Sequence, residues 1–248
     1  MGAPCLGQAR KSMRPLHEKT PYRMKIIASG NQEIPRAKNI FCALFRKQPL
    51  EKEAFFSFLA AEQKRFLRAC VREDFRGDEA EVKSFRLPAE ARGAKAGMPG
   101  RVILFGLGDR AKWHERKAPL IARRMLRYAK SERIADFTTP LFRLQTKSGT
   151  DVPDVVRNTR NAARTFAENA LMAHFEFNKY KEKPKNGWPE VKTIFVGADK
   201  KDAKEIEIGI REGVIIGEEL NKTRALANTP GSDMTPSLLA AAAVEAGK

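Results

Sequence analysis

The sharpest chemical signal in the sequence is Gly106-Leu107-Gly108-Asp109-Arg110-Ala111, a G-x-G-x-x-A run between an apolar stretch and a helix-like one. Glycines so placed let a pyrophosphate approach a helix N-terminus, whose free N–H groups and dipole attract anions. Gly106, Gly108 and Ala111 are therefore candidates for a phosphate or nucleotide turn. The acidic residue that would hold a ribose is not at the end of the next strand, because Asp136 lies within that strand. A tight strand-to-helix turn with no ligand accounts for the same glycines.

A second signal follows directly. Lys112, Arg116, Arg123, Arg124, Arg127 and Lys130 crowd residues 112–133, with Trp113 and Tyr128 interspersed. Phosphate contacts from such a face would be salt-sensitive. One reading is a nucleic-acid-binding module, with DNA as partner. The other is a solvated helix face whose far side, Leu120, Ile121, Met125 and Leu126, packs on a sheet. The net charge of +17 fits either, since net charge speaks to solubility and non-specific binding and not to fold.

The remaining reactive residue types do not converge. His17, His114 and His174 are far apart, and His174 ends a helical stretch, where the helix dipole favours a cation. Glu218 and Lys222 are spaced as an i, i+4 ion pair. No serine lies in a G-x-S-x-G elbow. Cys5, Cys42 and Cys70 form no C-x-x-C pair, which fits a reducing, cytoplasmic compartment better than a disulfide framework. The Asn221-Lys222-Thr223 sequon matters only in a secreted protein. No apolar run reaches the roughly 18 residues of a membrane span. The spacing assembles no catalytic or metal-binding constellation, so this chain is expected to bind no cofactor.

The elements that must position these residues alternate. Strands are expected at 24–29, 40–45, 81–87, 101–105, 134–139 and 191–197. Helices are expected at 52–74, 112–131, 155–174 and 202–226. Pro119 demands a kink or a late start in the second of these. In the first, Phe55, Phe58 or Leu59, Phe66, and Ala69 or Cys70 share one side. In the third, Val155, Ala162, Phe166, Ala170 and Ala173 form the apolar stripe. Residues 89–100 form a loop rich in Gly, Ala and Lys. This alternation predicts an α/β layer, largely parallel, with helices covering the sheet. Gly209, Gly213 and Gly217, spaced by four, fall on one face of the last helix. Each costs about 1 kcal/mol relative to alanine, so another element is expected to approach that backbone closely.

Four stretches together resemble the N-terminal part of the leucyl aminopeptidase (cytosol aminopeptidase, M17) family. They are RVILFGLGDRAKW (101–113), AENALMAHFEFNKYKEK (167–183), NKTRALANTP (221–230) and SDMTPSLLAAAA (232–243). Ala225 departs from the family's usual Asp, and Ser232-Asp233 from its usual Pro-Asn. The resemblance implies a macro-like α/β domain over 24–200, a linker helix over 201–230, and at 231–248 the truncated start of a second, catalytic domain. Residues 1–23 then read as a disordered tail or as an over-extended start with initiation at Met24. The implied parent activity is release of N-terminal amino acids from peptides by water activated on two divalent ions, Zn, Mn or Mg. Those ions would be held by motifs of a catalytic domain that this chain lacks. Implied partners are that domain, a homo-hexamer and, through some bacterial relatives, DNA.

Overall fold

A computed structural model describes residues 24–30, 37–88, 99–140, 155–198 and 202–247. Readings for 1–23 and 89–98 fall outside these residues. The strands are β1 (Lys25–Gly30), β2 (Asn39–Leu44), β3 (Val82–Arg86), β4 (Arg101–Gly106), β5 (Asp136–Thr139) and β6 (Thr193–Ala198). They form one six-stranded sheet in the order β1-β6-β5-β2-β4-β3. Every pairing is parallel except that of the edge strand β3 with β4.

β2 shows why its sequence reads as a continuous apolar run. Phe41 and Ala43 point into one core and Ile40, Cys42 and Leu44 into the other. A strand with helices on both faces needs apolar side chains at every position. Phe41 anchors the first core by stacking on Phe137 at 4.2 Å between centroids. That core is closed by α3 (Ala118–Ser131), α4 (Val155–His174) and α5 (Ala203–Asn228). The second is closed by α1 (Ala54–Phe58) and α2 (Ala61–Asp74).

The single helix expected over 52–74 is two. Leu59 and Ala60 are extended, with ψ of 143° and 160°. The Gln63 side chain accepts the Ala60 N–H at 3.4 Å and donates to the Pro88 carbonyl at 3.2 Å, which starts α2 afresh. The restart changes the helical phase. Phe55, Phe56, Leu59 and Leu67 are buried, whereas Phe66, expected inside, is 40% exposed.

α4 and α5 run parallel along a seam of small residues. A methyl group at Gly209 would stand 2.2 Å from the Arg160 carbonyl oxygen. At Gly213 it would stand 2.3 Å from the Arg164 oxygen and 2.9 Å from Ala167 Cβ, and at Gly217 2.9 Å from Leu171 Cβ. The expected close approach is therefore made by α4, whose buried side is Ala163, Phe166, Ala167, Ala170 and Leu171. Met24–Asn228 forms one compact unit. Beyond it, α6 (Pro236–Ala246) begins at Thr235, whose hydroxyl accepts the Leu238 N–H at 3.3 Å.

Candidate functional site

The glycine turn sits at the end of β4, next to the segment 76–81. Its geometry begins with Glu81. One oxygen of that carboxylate accepts the N–H groups of Arg76, Gly77 and Asp78 at 3.1, 2.8 and 3.0 Å. Three successive N–H groups aimed at one point form an anion nest. Here the anion is the chain's own side chain. Arg46 fixes the same loop through Asp78, with Nε at 2.9 Å from Oδ1.

Gly106 and Gly108 serve this loop. A Cβ on Gly106 would lie 1.9 Å from the Asp78 carbonyl oxygen. Gly108, at φ 79°, donates its N–H to the Gly77 carbonyl at 2.9 Å. The close backbone approach that glycine permits is thus taken up by the protein itself. Ala111 gives its N–H to the Asp109 carboxylate at 3.0 Å. A 3-10 turn, Arg110–Lys112, follows, and α3 begins only at Ala118 with Pro119 in its first turn. Of the kink and the late start that Pro119 allowed for a helix over 112–131, the structure takes the late start, with Pro119 in the first turn, where a missing N–H costs nothing.

The six basic residues of 112–133 do not share one face. Lys112 and Arg116 are exposed on 3-10 turns ahead of α3, and Arg127 is exposed on α3. Arg123 donates to Asn169 Oδ1 on α4 at 2.9 Å. Arg124 is half-buried, with Nη2 donating to the Glu81 carbonyl at 3.5 Å, and burial lowers its pKa. Lys130 is buried, donating to the His174 carbonyl at 3.2 Å and to the Glu176 carboxylate. The two aromatics are partly buried against the core. Trp113 packs edge-on against Phe45, and Tyr128 against Phe41 and Phe105. Periodicity alone could not show this, since it gives a residue's angle on a helix and not the length of its partners' reach.

His174 is the clearest correction. It was expected to be a cation at a helix end. Instead its Nε2 accepts the Val191 N–H at 3.2 Å, which requires the neutral ring. Burial, then the Lys130 charge beside it, lowers its pKa. The cation at the end of α4 is Lys130. Burial opposes ionisation of Glu176, but hydrogen bonds from Lys130 and Asn178 prevail and hold its carboxyl below the usual value. Burial raises the pKa of nearby Glu190.

Two further ties, Asn221 and Arg224, went unnoticed in the sequence. Asn221 Nδ2 donates to the Leu171 carbonyl at 3.0 Å, and Arg224 Nη1 to the Met172 carbonyl at 2.8 Å. The Arg224 guanidinium also lies 4.5 Å over the Phe175 ring. Arg224 on Met172 and Lys130 on His174 satisfy carbonyls of the last turn of α4, whereas the Leu171 carbonyl also accepts the Phe175 N–H at 3.1 Å. The sequon amide thus ties α5 to α4. Among the described residues no group of three or more His, Cys, Asp or Glu could hold a metal ion, and no helix is long and apolar enough to cross a membrane.

Residues 43–184 match the family model described as the cytosol aminopeptidase family, N-terminal domain. A probable cytosol aminopeptidase of Chromohalobacter salexigens is 34% identical over 143 residues, covering 56% of this chain and 26% of the relative. One from Bacillus subtilis is 33% identical over 102 residues, covering 41% of this chain and 19% of that protein. The chain thus spans about a quarter or less of these relatives. Among solved structures, a tomato leucine aminopeptidase mutant shares the fold at TM-score 0.65 and 18% identity, over 90% of this chain and 42% of its own. The bottromycin maturation enzyme BotP, in complex with Mn, shares it at TM-score 0.54 and 17% identity, over 84% and 36%.

Proposed function

This chain belongs to the cytosol aminopeptidase family through its N-terminal domain, and from that premise we propose that it is the scaffold layer and tether of a metal-dependent leucyl aminopeptidase, not its catalytic part. The parent reaction is hydrolytic release of N-terminal amino acids from peptides, in the cytoplasm. The observation that carries the reading is the family match itself, which falls on the N-terminal domain and lies wholly inside the compact unit 24–228. The side chains support it. Lys130, Arg123, Arg160, Asn221 and Arg224 each tie one element of the domain to another, and Glu81 closes the loop 76–81 on itself.

The described residues do not fit a two-ion centre, so no metal-assisted step is derived from them. The divalent ions, Zn, Mn or Mg, belong to the peptidase portion of the parent. The test is direct. The purified 248-residue chain, supplied with Mn²⁺ or Zn²⁺, is assayed for hydrolysis of leucine p-nitroanilide. No turnover is expected. Chelator-sensitive turnover from a sample of verified mass overturns the reading.

A further inference from the structure

Nine large hydrophobic side chains are exposed among the described residues, and five of them are Ile215, Ile216 and Leu220 on α5 and Leu239 and Val244 on α6. The apolar exposure is concentrated toward one end of the chain. Ile215 is 58% exposed and Ile216 37%. At 100° per residue, Ile216 lies about 60° and Ile215 about 160° round α5 from Gly213, so the pair runs from the flank of the α4 seam to the outer side of the helix. Both isoleucines border a shallow groove between α4 and α5, framed by Arg160, Arg164, Glu205 and Glu212. An apolar centre with a charged rim is the anatomy of a protein interface. A solvated helix face has no use for adjacent β-branched residues, which are poorer helix formers than Glu or Lys.

α6, considered by itself, points the same way. It is eleven residues long, PSLLAAAAVEA, and none of them is buried. Helices of that length are marginal in water without a packed face.

We propose that the Ile215–Ile216 face of α5 is the surface on which the peptidase portion of a cytosol aminopeptidase chain docks. The inference rests on the scaffold-and-tether reading and names its contact surface. Two observations select this occupant. The relatives are about four and five times as long as their matched regions, and in the tomato enzyme this fold is 42% of a longer chain. The unburied apolar residues also gather on α5 and α6, which follow the matched N-terminal domain of 43–184 along the chain.

The test joins the 248-residue chain to the remainder of the Chromohalobacter salexigens relative, in place of that protein's own matched region. The fusion is expected to hydrolyse leucine p-nitroanilide. Ile215→Glu with Ile216→Glu is expected to lower its activity about tenfold or more and to speed amide exchange along α5. The same pair in the isolated chain is expected to leave its Tm within about 2 °C, which separates lost docking from lost folding. An inactive fusion bearing the unaltered chain overturns the scaffold reading itself. An active fusion indifferent to the substitutions overturns this inference alone. It is equally overturned if light scattering shows the isolated chain to be a dimer that Ile215→Glu dissolves, because the face then belongs to a second copy.

Discussion

The α-carbon of Gly213 on α5 rests against the carbonyl oxygen of Arg164 on α4, so closely that an added methyl group would stand 2.3 Å from it. Alanine is the better helix former by about 1 kcal/mol, and at an exposed position Gly→Ala would stabilise by that order. Here the methyl meets backbone, which cannot swing aside. Gly213→Ala is expected to destabilise the domain by about 1–3 kcal/mol net, as overpacking does. Urea unfolding of the two proteins measures it, and an unchanged or raised midpoint contradicts the seam.

His174 makes stability depend on pH. Its folded pKa lies below the ordinary value, through burial and the Lys130 charge. Above about pH 6.5 the ring is neutral in both states, and the Val191 hydrogen bond contributes fully. As pH falls below that value the unfolded chain takes up the proton first, so stability declines by at most about 1.4 kcal/mol per pH unit until the folded ring titrates too. Thermal melts from pH 7.5 to 5.5 should show the loss, and His174→Gln should flatten it. The depressed carboxyl of Glu176 titrates below this window, and Glu190, whose carboxyl burial raises, would add stability rather than remove it as the pH falls.

Lys130 is a buried ammonium with two oxygen partners, the His174 carbonyl and the Glu176 carboxylate. Lys130→Met keeps the aliphatic packing and removes both bonds. A loss of about 2 kcal/mol is expected, because a partly buried carboxylate is left without its cation. Adding Glu176→Gln should recover part of it, and a double-mutant cycle reads the coupling. Strict additivity would show that the pair does not act as one.

Gly106→Ala places a methyl 1.9 Å from the Asp78 carbonyl oxygen. The variant is expected to unfold at lower urea by the equivalent of about 1–3 kcal/mol. Calorimetric titration of the native chain with ADP-ribose or NAD is expected to be flat, since Asp109 already takes the Ala111 N–H and the loop 76–81 lies against Gly106. Saturable heat would return the turn to the list of ligand sites.

The α/β order was legible because β2 and β4 are apolar runs bounded by turns, and burial on both faces leaves that signature at each position. The α4–α5 seam was legible because three glycines at spacing four have few other uses in a long helix. Phe66 was misplaced because the break at Leu59–Ala60 depends on Gln63 reaching Pro88, a contact 25 residues distant that no local pattern announces. His174 was misassigned for the same reason. Its state is set by Val191 and Lys130, which arrive from β6's approach and from α3. The basic residues of α3 looked alike in sequence, but Arg123 and Lys130 differ from Arg127 in what lies within reach of their tips.

The nest around Glu81 has a consequence for rigidity. Many loops that expose consecutive N–H groups settle only when a phosphate or sulfate arrives, and their order then follows the supply of that ion. The segment 76–81 carries its counter-ion covalently, so it holds its shape in pure buffer and gains nothing from added anion. Replacing Glu81 with alanine would convert a self-sufficient corner of the protein into one that depends on the solution around it.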